Sequence, residues 1–178
     1  MADTSNGLMY GVAAVKFKTP EGEEKTLGWL DENGMQPAGN APTFMDVMAA
    51  QVTDGPVDSI MTNPGSDAFT MNLIKLDAQS MVDVFGGKKE TDDSYTPPVK
   101  FVANGVLTIS MHSGHSFRIF NARLSRNGFQ NGINMQNVLA MGIRVDMLKP
   151  TDGKERRYRT YPPGVKPDTA DSTADAAG

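Results

Sequence analysis

The strongest constraint on this chain is an alternation late in the sequence. Leu139, Met141, Ile143, Val145 and Met147 fall on one side of a period-2 pattern, and Ala140, Gly142, Arg144 and Asp146 fall on the other. Successive side chains of a strand point to opposite faces, so the segment predicts a half-buried strand with one apolar face and one small or charged face. Upstream, Phe117, Ile119, Ala122 and Leu124 predict a second strand whose alternation slips by one around Phe120 and Asn121. An extra residue in one strand, a β-bulge, produces such a slip. Asn127-Gly128 and Asn131-Gly132 lie in a polar segment read as the connection between the two.

Earlier in the chain, residues 8–18 predict a strand, Thr19-Pro20-Glu21-Gly22 a turn, and residues 25–30 the returning strand of a hairpin. Asn33-Gly34, Pro37, Gly39, Asn40 and Pro42 then predict a long turn-rich excursion over 31–43. Phe44, Met45, Val47 and Met48 fit a short helix, whereas Thr43, Met45, Val47 and Ala49 fit a strand; a strand or extended arm is the preferred reading. Short strands are expected over 57–61 and 69–75. Asp77 as an N-cap, an apolar face of Ala78, Met81, Val82 and Phe85, and Gly86-Gly87 as a stop predict a helix over 77–85. Asn104-Gly105 between alternating segments predicts a type I′ hairpin turn, which makes 99–124 a three-strand meander. The end of the chain, rich in Asp, Ala, Thr, Ser and Gly, offers nothing to bury and is expected to be flexible.

Composition narrows the function more than it names it. The 178 residues suggest one domain with appendages, and the absence of cysteine excludes disulfides, thiolate zinc sites and cysteine nucleophiles. Net charge is −4, of which Asp168, Asp171 and Asp175 contribute three, so the body is nearly neutral and unlike a protein that grips nucleic acid by counterion release. No apolar run reaches the roughly 20 residues of a membrane helix, and the first residues show no secretory signal. His112 and His115 are the only histidines, and no neighbouring side chain supplies a third metal ligand. The scattered carboxylates read as solvated surface, and no Gly-x-Ser-x-Gly, phosphate-loop or His-Glu-x-x-His pattern occurs. No enzyme, cofactor or metal is therefore expected. Arg156, Arg157 and Arg159, interleaved with Tyr158 and Tyr161, read as solvated or facing a neighbouring subunit. The twelve methionines serve as core filler or as adaptable contacts at subunit interfaces.

The order of these elements resembles the major tail tube proteins of long-tailed bacteriophages. The resemblance rests on the strand over 69–75 running into a Gly-capped helix, on the meander, and on the phrases Phe117-Arg118-Ile119-Phe120-Asn121-Ala122 and Gly142-Ile143-Arg144-Val145-Asp146-Met147-Leu148. It spans about residues 8–153. It implies a mainly β fold of two packed antiparallel sheets, sandwich- or barrel-like, with one short flanking helix near 77–85 and long loops. The tube domain would occupy 1–153, with an inter-subunit loop at about 31–56. A basic-aromatic segment and a flexible acidic tail would follow over 154–178. Six copies would form a ring, and rings would stack into the conduit for genome ejection. DNA would pass through the lumen without specific binding, and tape measure, tail terminator and distal tail proteins would be partners. The chain would reside in the virion tail after synthesis in the host cytoplasm, with no membrane binding of its own. Phe44, Met45 and Met48 would anchor the loop on the next ring, and Arg156 and Arg157 would meet a neighbouring subunit. The alternatives are the tube of a contractile injection or secretion machine, which shares this fold, and a monomeric β-sandwich binding module.

Overall fold

The computed structural model describes residues 7–75, 77–134, 136–151, 156–168 and 171. In chain order the strands are β1 (Val12–Lys18), β2 (Glu24–Thr26), β3 (Leu30–Pro37), β4 (Thr43–Val47), β5 (Asp58–Asn63) and β6 (Ala68–Leu73). Helix α1 (Ala78–Phe85) follows, then β7 (Lys88–Lys89), β8 (Tyr95–Thr96), β9 (Val102–Met111), β10 (Ser116–Gln130), β11 (Ala140–Met147) and β12 (Tyr158–Tyr161). The chain is mainly β and antiparallel. Eight strands form one sheet in the order β2-β1-β9-β10-β11-β6-β3, with β12 joined to β10; β4-β5 and β7-β8 are separate two-stranded ribbons.

Two packed sheets were expected, and the main body is instead one sheet bent around a single core. The bend is built on β10, whose 15 residues serve two neighbours on one side. Its first part, Ser116 to Ile119, pairs with β12, and its second, from Ala122 onward, pairs with β11, while β9 runs along the other side. The register of β9 on β10 shifts between Ile119 and Ala122, the position of the slip in the sequence. A bulge there lets Ile119 before the bend and Ala122 and Leu124 after it all face the core, each with no exposed surface.

Closure of the sheet follows from chain length. β2 and β3 lie at opposite ends of the strand order, yet only Leu27, Gly28 and Trp29 join them. Four peptide steps span at most about 14 Å, whereas six gaps in a flat sheet would separate the ends by roughly 29 Å. The sheet must therefore curl until its ends meet. The Leu27 amide donates to the Val15 carbonyl of β1 at 2.9 Å, and the Ile74 amide, just beyond β6, donates to the Trp29 carbonyl at 2.9 Å. Val15 and Phe17 of β1 share one buried cluster with Met71 and Leu73 of β6, with Ile143 and Val145 of β11, and with Met81 and Phe85 of α1. Phe85 also stacks on Phe101, with ring centroids 4.0 Å apart.

Several Asn-Gly pairs do not turn the chain. β9 runs straight through Asn104-Gly105, and neither residue has the positive φ that a type I′ turn requires. Gly105 is there because the backbone of β1 comes too close for a side chain: a Cβ would collide with the Lys18 carbonyl and lie 2.9 Å from Phe17 Cζ. The meander expected over 99–124 is accordingly two long strands. Asn33-Gly34 lies inside β3, where the register on β6 shifts between Leu30 and Met35, so part of the expected excursion is sheet. β10 likewise passes Asn127-Gly128 with a shift between Arg126 and Phe129.

Gly105→Ala should therefore lower stability by about 3 kcal/mol, because backbone atoms cannot step aside as a side chain would. For a chain of this size that is a fall of roughly 10 °C in the thermal midpoint. An unchanged midpoint would show that Gly105 is a turn residue tolerant of a methyl group.

Candidate self-assembly surface

The ribbon of β4 and β5 projects as an arm. Its base is fixed by paired hydrogen bonds between the backbones of Asn40 and Ser66, both at 2.9 Å. Gly65, at φ +74°, fits there because a Cβ would strike the Asn40 carbonyl. Along the ribbon Phe44 faces Met61 and Met45 faces Ile60, so each face carries an apolar pair. Ser59 Oγ donates to Asp46 Oδ1 at 2.9 Å, and the Thr43 and Thr62 hydroxyls lie 3.2 Å apart. No arm side chain belongs to the core. Phe44, Met45 and Met48, expected from the sequence to touch a subunit, are each more than half exposed, and Val57, Ile60 and Met61 are exposed beside them. Residues 40–66 carry Asp46, Asp54 and Asp58 and no Lys or Arg.

A cleft of about 630 Å³ opens at the foot of the arm, lined chiefly by Met9, Pro37, Phe69, Phe117, Met147 and Tyr158. Phe69 meets Phe117 edge-on at 6.2 Å, and Phe117 stacks on Tyr158 at 5.0 Å. The cleft is bounded by β3, which pairs only with β6, and by β12, which pairs only with β10. Among the described residues each therefore presents one unpaired strand edge. Of the two arginines expected at a subunit contact, Arg157 stands by the cleft, with Nη1 3.6 Å from Asp67 Oδ2. Arg156 packs its guanidinium over the Phe120 ring at 4.4 Å. Sequence reasoning placed these arginines on an exposed segment but missed the cleft, whose aromatic residues come from β6, β10 and β12.

A second cluster, also missed, lies across the strands on the opposite face of β10. Arg159, Arg118, Thr108, Lys16 and Thr26 fall in one cross-strand row, each directly opposite the next. Like charges placed opposite one another are destabilising, and the chain answers with carboxylates. Arg118 is buried and uses its three guanidinium nitrogens: Nε donates to Thr108 Oγ1 at 3.1 Å, Nη1 to Asp171 at 2.8 Å and Nη2 to Asp168 at 2.6 Å. Tyr161 Oη donates to Asp171 at 2.6 Å, and Arg159 Nη1 donates to the same oxygen at 3.2 Å. Asp171 is thus buried, although the sequence assigned nothing buried to the tail. Burial, together with the Asp171 carboxylate, pushes the Tyr161 hydroxyl far above the ordinary phenol range. The Arg118 hydrogen bond holds the Asp168 carboxyl below its ordinary value, against a smaller opposing effect of burial. On the other half of the sheet, burial alone would raise Asp146. Arg123 at 2.8 Å and Arg144 at 2.7 Å outweigh it and lower that carboxyl instead.

His115 Nδ1 lies 3.1 Å from Ser113 Oγ. Among the described residues no group of three or more His, Cys, Asp or Glu is placed to hold a metal, and no helix is long and apolar enough to cross a membrane. No protein-family model matches the sequence, and no curated protein matches it.

The depressed carboxyls fix the sign of an acid dependence. Asp146 and Asp168 bind protons less readily folded than unfolded, so their contribution is complete above the unfolded value of 3.8 and is lost as pH falls through the lower folded values. The thermal midpoint should be level from pH 7 to about 5 and fall below about 4. Asp146→Asn should flatten that fall, since Asp146 is the less exposed of the two. An equally steep fall in the variant would remove Asp146 from the account.

Proposed function

We propose that this chain is the tube subunit of a bacteriophage tail, a structural protein whose copies join into rings and whose rings stack into a conduit for the genome. The observation that carries this reading is the arm. An isolated two-stranded ribbon is marginal in water, and this one bears apolar side chains on both faces that are about half exposed or more and belong to no part of the described core. Such a ribbon is stabilised when another surface takes up those faces. A contact from the arm of one copy to the body of the next joins unlike surfaces, does not close on itself and therefore propagates a filament. Unpaired edges on β3 and β12 offer a second route, since pairing between copies removes the exposed strand edges. The acidic, base-free arm and the apolar cleft beside Arg157 complement each other in charge and polarity. The element order that resembles phage tail tube proteins supports the same reading. The apolar cleft also favours one alternative, a monomeric binding module that takes a small apolar ligand.

Because Asn40 and Ser66 already form a hydrogen-bonded antiparallel pair, residues 41–65 can be replaced by Asn-Gly, the two-residue connection that such a pair accepts. The armless chain should keep its thermal midpoint within about 3 °C, having lost no core contact. Light scattering should show the parent assembling with concentration and the armless chain remaining monomeric. Assembly of the armless chain at the parental concentration would reject the arm as the joining element. A monomeric parent that binds an apolar ligand would favour the binding module.

A further inference from the structure

We propose that the Arg118 cluster is a docking site for a doubly acidic peptide segment, filled by this chain's own Asp168 and Asp171. We further propose that the docked segment acts as a latch deciding whether β12 can help receive a second copy. The second half rests on the self-assembly reading above; the first does not. Three features point to a recognition site rather than an incidental surface pair. Arg118 divides its donors between two carboxylates three residues apart in the chain, with Tyr161 and Arg159 adding donors to the inner one. The bonds join residues 50 and 53 positions apart, so the segment returns across the sheet to make them. Apart from the tail, Glu24 Oε1, 3.9 Å from Arg118 Nη2, is the nearest acidic counter-charge to the guanidinium.

The consequence for β12 follows from its size. It has four residues and, among the described residues, pairs on one side only, with β10. Both residues that grip Asp171 besides Arg118, namely Arg159 and Tyr161, belong to β12. The tail therefore ties β12 to β10 through a bridge of charge. On its other face β12 presents Tyr158, stacked on Phe117 in the cleft, with Arg157 just before it. Freeing the tail removes the Asp171 carboxylate that Arg159 and Arg118, directly opposite each other, share, which loosens β12 from the sheet and with it one wall of the cleft. The body is nearly neutral, and Glu24, 3.2 Å from Lys16 Nζ and 3.9 Å from Arg118 Nη2, offsets the positive row, which argues against a nucleic acid as the natural occupant.

The test uses the full chain carrying Asp168→Asn and Asp171→Asn. Amide hydrogen exchange over β12 should quicken at least tenfold while β9 and β11 keep their protection. The concentration at which light scattering reports assembly should rise at least tenfold. A synthetic peptide of residues 165–178 should restore β12 protection in this variant and leave the parent unchanged, whose site is occupied. Asp168→Asn alone, at a largely exposed carboxylate, should give a smaller change in the same direction and keeps the test available if the double variant does not fold. Unchanged β12 exchange in the variants overturns the docking site. So does a peptide without effect, or rescue by a DNA oligonucleotide instead of the peptide. Quickened β12 exchange with unchanged assembly overturns the latch. A parent chain that never assembles defeats the self-assembly reading, while the exchange measurements still decide the docking site.

Discussion

Three residues dictate the shape of this protein. Leu27, Gly28 and Trp29 must carry the chain from one end of the strand order to the other. That distance is covered only if the sheet curls, and the sheet can curl only where a strand is long enough to turn the corner. β10 meets that need by pairing with β12 before its bulge and β11 after it. The single core follows from this, because strands distant in the order bring their apolar faces to one interior.

A curled sheet of this kind leaves a seam. Pro37 at the end of β3 and Tyr158 of β12 both line the cleft, the two strands do not pair with each other, and Phe69 and Phe117 line it beside them. The arm leaves the body at this seam and carries its apolar residues out into solvent. The same chain thus presents an apolar, acidic projection and an apolar recess flanked by arginine. The acidic tail holds one wall of that recess through Arg118, which links the chain's two base-free acidic segments to one region.

Much of the sheet was legible because its signals are local. The alternation through Met141, Ile143 and Val145 marks β11, whose three residues are buried, and the slip at Phe120 and Asn121 marks the corner itself. The preferred reading of 44–51 as a strand or extended arm agrees with β4. The glycines misled for a physical reason. A residue with positive φ serves a tight turn and a bulge equally well. Gly34, at φ +61°, and Gly128, at φ +75°, mark irregularities inside strands, whereas Gly105 needs only the absence of a side chain beside Lys18. The Arg118 cluster was illegible because its two carboxylates lie 50 or more residues from the arginine, and an acidic tail reads as solvated until something buried is found to receive it. The cleft was hidden likewise, since Phe69, Phe117 and Tyr158 come from three separate strands.

The most direct test of the account is negative-stain electron microscopy of the purified chain across a concentration series. Self-assembly through the arm predicts monomers at low concentration and, above a threshold, stacked rings with a central hole. A uniform monomer at every concentration would contradict it.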